Sequence, residues 1–175
     1  KIATGVCGEF VIMYGGNIGK AQAFDVIFKA MVTLKQYPKI HWVIIGDGSE
    51  FDWLSKQVEL HDLSQCVHLL GKKDSVLMPF YFAVADMLLV SLKSDPLFEI
   101  TVPSKVQTYL ASGKPILAIL SGVGADIIRE AGAGFVVTPG DADQIVDAIE
   151  KILKMDKPSL EQLGISGREY YKKHF

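Results

Sequence analysis

A proline, a serine and a lysine stand together where a helix is predicted to begin, in the stretch VPSKVQTYLASGKPILAIL from residue 102 to 120. Pro103 is favoured in a first helical turn, and Ser104 with Gln107 three residues later matches a capping box. Gly113 is a typical C-terminal stop, and the apolar run after it predicts a buried strand. A helix start presents unpaired N–H groups and the positive end of the helix dipole, so it favours an anion.

Lys105, directly after Ser104, is a second group that would attract an anion. A charge-assisted hydrogen bond from its ammonium would add about 1.5–3 kcal/mol, against roughly 0.3–1 kcal/mol from the helix dipole alone. The alternative is a solvated lysine on an exposed turn. The residue types by themselves favour neither interpretation.

Two glycine turns after apolar runs could also bind phosphate, but neither matches a known nucleotide loop. In GGNIGKAQ the glycines at Gly15 and Gly19 are separated by three residues, and Ala21 stands where a P-loop needs Ser or Thr. In GDGSEF, Phe51 stands where the dinucleotide fingerprint needs its third glycine. The pattern therefore disfavours NAD, and Gly46–Gly48 is interpreted first as a tight turn between a strand and a helix.

Composition excludes several classes of function. The 175 residues are 49% hydrophobic with a net charge of −2, which indicates a folded core and no electrostatic footprint for nucleic acid. The four histidines lack metal-ligand spacing, and Cys7 and Cys66 form no CxxC motif, so we expect no metal and a reducing cytoplasm. The longest apolar run is interrupted by Asp86, and the N-terminus lacks the apolar region of a signal peptide.

Short apolar runs alternate with helix-period segments along the whole chain. Strands that are apolar throughout, with helices between them, predict a doubly wound α/β fold with a parallel sheet of about six strands and helices on both faces. Ligands of such sheets bind beyond the carboxyl ends of the strands. The predicted strands are 10–16, 40–46, 66–71, 86–92, 115–120 and 134–139, and the predicted helices are 21–37, 49–62, 75–85, 103–113, 124–132 and 141–155, with 159–175 helical at both ends.

The order of these motifs resembles the nucleotide-sugar-binding half of retaining GT-B glycosyltransferases of family 4, also called group 1. The resemblance covers roughly residues 10–175. It depends on the segments GGNIG, VIIGDGSE, VHLLGKK, FYFAVADMLLVSL, VPSKVQTYLASGKPILA and GAGFVVTPGD. More narrowly, the chain looks like the bacterial surface-polysaccharide branch that transfers amino sugars such as N-acetylfucosamine. The resemblance implies a Rossmann-like donor domain over 1–175, excised from the C-terminal half of a two-domain enzyme and inactive alone.

The resemblance also implies partners. The donor would be a nucleotide-diphosphate sugar, with UDP favoured, and it is a substrate, so no cofactor is expected. A missing N-terminal domain would bind the acceptor, which is lipid-linked in this branch. The enzyme would work in the cytoplasm, at the inner face of the cytoplasmic membrane, in polysaccharide or lipopolysaccharide biosynthesis.

At the first turn, the family places Gly-Arg and then a lysine five residues after the arginine, and both cations contact the donor diphosphate. Gly16 matches, but Asn17 stands at the arginine and Gln22 at the lysine. Lys20 lies near enough in sequence to compensate. The departure shifts phosphate neutralisation to the later helix start at Pro103, Ser104 and Lys105.

The family also uses two glutamates eight positions apart, on the donor sugar and the ribose. Their positions hold Ile100 and Thr108 here, and Glu99 is adjacent to the first. Lys72, in the turn after the third strand, lies where the family places the base. Asp86 resembles the family's Ala-Asp before the fourth strand, with a structural role. The donor-binding set implied is Gly16, Asn17, Lys20, Gln22, Lys72, Glu99, Pro103, Ser104, Lys105 and Thr108.

Two other functions stay open from the sequence. Half of a GT-B nucleotide-sugar epimerase would need carboxylates and histidines in the cleft, and no histidine falls at a predicted strand end. A non-enzymatic, flavodoxin-like receiver module would need an acidic pair after the first strand and five strands, whereas that turn is Gly-Gly-Asn. The glycosyltransferase donor domain is the preferred hypothesis.

Overall fold

A computed structural model describes residues 9–175, and Cys7 lies outside this range. Six strands form one sheet in the order β3-β2-β1-β4-β5-β6, and every neighbouring pair is parallel. The predicted doubly wound parallel sheet is therefore confirmed. The strands are β1 (Phe10–Gly15), β2 (Ile40–Ile45), β3 (Val67–Leu69), β4 (Met87–Ser91), β5 (Ile116–Ile119) and β6 (Gly134–Val137).

Helices connect the strands and cover the sheet on both sides. They are α1 (Phe24–Thr33), α2 (Phe51–Leu60), α3 (Met78–Val84), α4 (Pro96–Glu99), α5 (Ser104–Ser112), α6 (Gly122–Glu130), α7 (Ala142–Leu153) and α8 (Lys157–His174). One core layer joins α1, α2 and α7 to the side chains of one sheet face. The other joins α3, α5, α6 and α8 to the opposite face. Because both faces are covered, the central strands are buried and apolar throughout.

The sheet reverses its winding direction between β1 and β4, and this positions the site. The register between β1 and β4 includes Ile12 with Met87 and Met13 with Leu88, whereas β1 stays paired with β2 as far as Gly15 and Ile45. Beyond Met13, β1 and β4 therefore separate. A crevice at such a switch point, outside the carboxyl ends of the strands, is where open α/β sheets bind ligands.

Helix boundaries differ from the sequence prediction where local turns intervene. The helix predicted from residue 21 begins at Phe24, because Lys20–Gln22 form a 3-10 turn that ends at Ala23 in a left-handed conformation (φ 49°). The helix predicted from residue 75 also opens with a 3-10 turn, Ser75–Leu77, and Pro79 lies in the first turn of α3. Asp141 caps α7, since its carboxylate accepts from the Gln144 N–H at 3.0 Å.

Two further differences lie near α5. Helix α4 was not predicted, although Asp95 followed by Pro96 is a helix-start signal, and the Asp95 carboxylate accepts from the Leu97 N–H at 2.9 Å. The last segment is one continuous helix rather than two. Its glycines do not interrupt it because both are buried against neighbours, Gly164 on the backbone of Gly113 and Gly167 on the Leu110 side chain.

Candidate functional site

A cleft of about 690 Å³ opens at the switch point. Its walls come from the turns after β1, β2 and β3, from α3 and from the start of α5. Its charged lining consists of three lysines against one aspartate, in a protein whose net charge is −2. The lining residues are Gly15, Gly16, Asn17, Ile45, Gly46, Asp47, Gly48, Lys72, Lys73, Ser75, Met78, Phe82, Ser104, Lys105, Thr108 and Tyr109.

The predicted capping box at the start of α5 is wrong. Pro103, in an extended conformation (φ −60°, ψ 134°), is the N-cap, and Ser104 is the first helical residue. Proline has no side-chain acceptor, so no side chain caps this helix. The first-turn N–H groups of Ser104 and Lys105 cannot bond within the helix, and both residues line the cleft. The helix start therefore faces the cleft with its donors uncapped.

Lys105 extends from this helix across the end of β1. Its Nζ lies 5.3 Å from the centroid of the Tyr14 ring. Gly16 makes room for it, because a Cβ added at Gly16 would lie 2.3 Å from Lys105 Cε. Partial burial lowers the pKa of the Lys105 ammonium. Among residues 9–175 it forms no ion pair, so its positive charge is available to an anion in the cleft.

Two buried tyrosines hold the backbone under this lysine. The Tyr14 hydroxyl donates to the Asn17 carbonyl at 2.5 Å. The Tyr109 hydroxyl accepts from the Gly15 N–H at 3.1 Å and lies 3.3 Å from the Gly15 carbonyl. Burial raises the pKa of both phenols far above neutrality, so both stay protonated. Sequence reasoning missed both residues, although Tyr109 lies one helical turn after Lys105 and Tyr14 directly precedes the double glycine.

The turns after β1 and β2 pack backbone against backbone. A Cβ added at Gly46 would lie 1.8 Å from the Gly16 carbonyl oxygen, and one at Gly48 would lie 2.4 Å from the Ile18 carbonyl oxygen. The Ile18 N–H also donates to the Asp47 carbonyl at 2.8 Å. The Gly-Asp-Gly sequence is therefore explained by close packing of two turns, as the tight-turn interpretation expected.

Gln22 and Lys20 do not line the cleft. Gln22 is buried, and its Oε1 accepts from the Gly19 N–H at 3.0 Å and from the Asn17 Nδ2 at 3.1 Å. Its amide therefore holds the turn after β1 in place. Lys20 is exposed in the 3-10 turn. Of the four candidates in this segment, the structure brings only Gly16 and Asn17 to the cleft.

The remaining candidates divide in the same way. Lys72 lies in the cleft wall after β3, and Thr108 lies one turn along α5, where its hydroxyl donates to the Ser104 carbonyl at 3.1 Å. Glu99 lies outside the lining. Its Oε1 accepts from the hydroxyls of Ser94 at 3.0 Å and Ser121 at 3.1 Å, so it joins the segments that follow β4 and β5.

No histidine lines the cleft within the described part of the chain. Residues 9–175 also contain no cluster of three or more His, Cys, Asp or Glu suited to a metal ion. The Asp86 carboxylate accepts from the Val11 N–H at 2.8 Å, in keeping with its expected structural role. Over the same residues, none of the helices has the length and hydrophobicity needed to cross a membrane.

The sequence of the chain matches a known protein family. Residues 6–170 match the family described as Glycosyl transferases group 1. The chain is 32% identical over 156 residues to the probable glycosyltransferase WbjE of Pseudomonas aeruginosa, covering 87% of this chain and 38% of that protein. It is 29% identical over 143 residues to the lipopolysaccharide core biosynthesis glycosyltransferase LpsE of Rhizobium meliloti strain 1021, covering 82% and 39% respectively.

Solved structures share the fold. The Anabaena protein Alr3699/HepE, in complex with UDP, superimposes with a TM-score of 0.85 at 18% identity, over 99% of this chain and 47% of that one. The C-terminal domain of the glycosyl transferase LpcC from Francisella tularensis gives 0.77 at 22% identity, over 94% and 85% respectively. The chain thus spans about two fifths of the curated relatives it matches. By its sequence match and its GT-B half fold, this chain belongs to the group 1 glycosyl transferase family.

Proposed function

We propose that the chain binds a nucleoside-diphosphate-sugar donor, with UDP-sugar favoured, in the cleft at the switch point. One observation carries the proposal. Lys105 reaches the cleft from an uncapped helix start, forms no ion pair with residues 9–175, and lies over a turn whose glycine leaves room for it. An ammonium and backbone N–H groups converging on one point suit the oxygens of a diphosphate.

The rest of the lining suits the remainder of a nucleotide. Lys72 and Lys73 lie in the cleft wall after β3, where the resemblance puts the base. The backbone of that turn would pair with the edge of a pyrimidine. Asn17 and Gln22 replace the two cations that other family members bring from the first turn, and Gln22 is already bonded within that turn. Phosphate neutralisation therefore depends mainly on Lys105 and the start of α5.

The relatives support a wider proposal for the whole protein. The Anabaena neighbour was crystallised with UDP and with UDP-glucose, and LpsE is described as a lipopolysaccharide core enzyme. We infer that the longer protein transfers a sugar with retention at the anomeric carbon, in polysaccharide or lipopolysaccharide biosynthesis. Its other half would bind a lipid-linked acceptor at the inner face of the cytoplasmic membrane. Lys105 and the helix dipole would stabilise charge that develops on the leaving diphosphate.

Calorimetric titration of the chain with UDP, GDP and NAD tests the donor proposal. UDP is expected to bind, and Lys105→Met should weaken it about ten- to a hundredfold, since a charge-assisted hydrogen bond contributes about 1.5–3 kcal/mol. Lys20→Met is the matched control, because Lys20 is an exposed lysine near the same turn but outside the cleft.

Three results would contradict parts of the proposal. If Lys105→Met and Lys20→Met lowered the UDP affinity equally, the lysines would act through the overall charge of the protein and not through a site at the start of α5. If Lys105→Met left the UDP affinity unchanged and Lys20→Met lowered it, the diphosphate would bind at the turn after β1 instead. No binding of any ligand at millimolar concentration would reject donor binding by this chain.

A further inference from the structure

We infer that Tyr14 is a positioning residue for the donor diphosphate. Its ring holds the Lys105 ammonium over the Gly16 turn, so binding of the diphosphate depends on a side chain that does not line the cleft. The inference rests on the proposed function, since it assigns a role within the same site. It concerns how the charge of one lysine is held in place before the ligand arrives.

Lys105 and Tyr14 form a cation–π contact. Lys105 Nζ lies 5.3 Å from the Tyr14 ring centroid, within the roughly 6 Å over which a cation is attracted to an aromatic face. Tyr14 is only 1% exposed, so water has almost no access to the ring. Gly16, between the two side chains, leaves space for the lysine stem to pass.

Two contacts hold the Tyr14 ring in place. The Tyr14 hydroxyl donates to the Asn17 carbonyl at 2.5 Å. The ring also packs edge-on against Phe24, with centroids 5.0 Å apart and planes at 86°. A fixed ring under a flexible lysine restricts where the ammonium lies, and ordering a side chain before binding removes a cost from the binding step.

An aromatic ring holds an ammonium without neutralising it. A carboxylate in the same place would also fix Lys105, but it would cancel the charge and compete with the diphosphate. Lys105 has no carboxylate partner among residues 9–175, and the ring contact replaces it. The ring contact thus restrains the lysine without placing an opposing charge beside it.

A double-mutant cycle on UDP binding tests this coupling, using Tyr14→Leu, Lys105→Met and the pair together. If Tyr14 acts through Lys105, Tyr14→Leu should weaken UDP about two- to thirtyfold in the wild-type background, the range of cation–π energies. In the Lys105→Met background it should have little further effect. Equal losses in both backgrounds would overturn the inference, because they would mean that Tyr14 merely supports the fold.

Two controls separate positioning from general damage. Tyr14→Phe keeps the ring and loses only the bond to the Asn17 carbonyl, so most of the coupling should remain. Uridine lacks the diphosphate, so its binding should be unchanged by Tyr14→Leu. A comparable loss of uridine and UDP affinity would contradict the inference.

A measurement on the unmodified chain covers the case in which Tyr14→Leu does not fold. Lysine Hε protons above an aromatic face are shifted upfield by the ring current, and the Lys105 signal is assigned by its loss in Lys105→Met. An upfield Hε shift relative to the other lysines is expected, and a Lys105 shift like theirs would overturn the inference. Failure of UDP to bind the wild-type chain would reject the proposed function itself, which keeps the two failures distinct.

Discussion

His41 and His68 stack across β2 and β3, away from the cleft, with ring centroids 5.2 Å apart and His41 Nδ1 2.9 Å from His68 Nε2. His41 Nε2 pairs with Glu9. Burial lowers the pKa of His68, the neighbouring His41 lowers it further, and Glu9 partly opposes both. Because the folded-state pKa is below the unfolded value of about 6.5, the unfolded chain binds more protons in acid.

This pair makes stability depend on pH. The full contribution is present above about pH 6.5 and is lost as pH falls toward the lowered pKa, so the melting temperature should decrease between pH 7 and 5. His68 is partly exposed, so the loss should be under about 1 kcal/mol, or less than roughly 4 °C. His68→Gln should flatten this slope in thermal melts, whereas His174→Gln, at the end of α8, should not. An unchanged slope in His68→Gln would contradict the assignment.

At the same scale, the sequence predicted part of the site. Lys105 was found because Pro-Ser-Lys marks a helix start, and a helix start at a strand edge is a local pattern. The orientations of Gln22 and Glu99 were not predictable, since each depends on partners from a folded turn or a distant strand. Tyr14 was missed because its neighbour Lys105 is far away in sequence and meets it only across the sheet.

Among the elements, continuity of α8 depends on what its glycines contact. A Cβ added at Gly164 would lie 2.2 Å from the Gly113 carbonyl oxygen, at the C-terminal cap of α5. Gly164→Ala gains about 1 kcal/mol of helix propensity, but overpacking against backbone typically costs about 1–3 kcal/mol and cannot be relieved by a rotamer change. The clash should therefore prevail.

We expect Gly164→Ala to lower the free energy of unfolding by up to about 2 kcal/mol, which is up to roughly 8 °C in melting temperature. Glu169→Ala, an exposed position on the same helix, is the control and should stay within about 0.5 kcal/mol of wild type. Urea unfolding gives both values. Stabilisation by Gly164→Ala would mean that α5 and α8 do not approach as closely as the structure has them.

The strands were predictable from the sequence, whereas the continuity of α8 was not. Strands buried on both faces are apolar throughout, and that pattern is visible in FVIM, WVII and ILAI without knowledge of the partners. Two glycines in a helical segment, such as Gly164 and Gly167, predict a break in the helix unless the residues that pack against them are known. The start of α5 at Ser104 rather than Pro103 is a shift of one residue, within the usual uncertainty of helix ends.

At the scale of the whole molecule, the proposal assigns binding of the donor to this chain and requires a second domain for transfer of the sugar. The chain covers 38% of WbjE and 47% of the Anabaena structure, so a two-domain protein would bring its acceptor site from elsewhere. We therefore expect this chain to bind UDP without transferring sugar. UDP at a hundred times its dissociation constant should stabilise it by about 2.7 kcal/mol, or roughly 5–11 °C.

The measurement combines thermal melts with an assay for release of UDP from UDP-sugar in the presence of a lipid-linked acceptor. The expected result is a melting shift and no release, because the proposal assigns the acceptor and catalytic groups to a second domain, and without them the transition state is not stabilised. Lys105→Met should reduce the shift to about half or less at the same UDP concentration, since weaker binding lowers the linked stabilisation. Acceptor-dependent release by the chain alone would mean that its own residues complete the catalytic site.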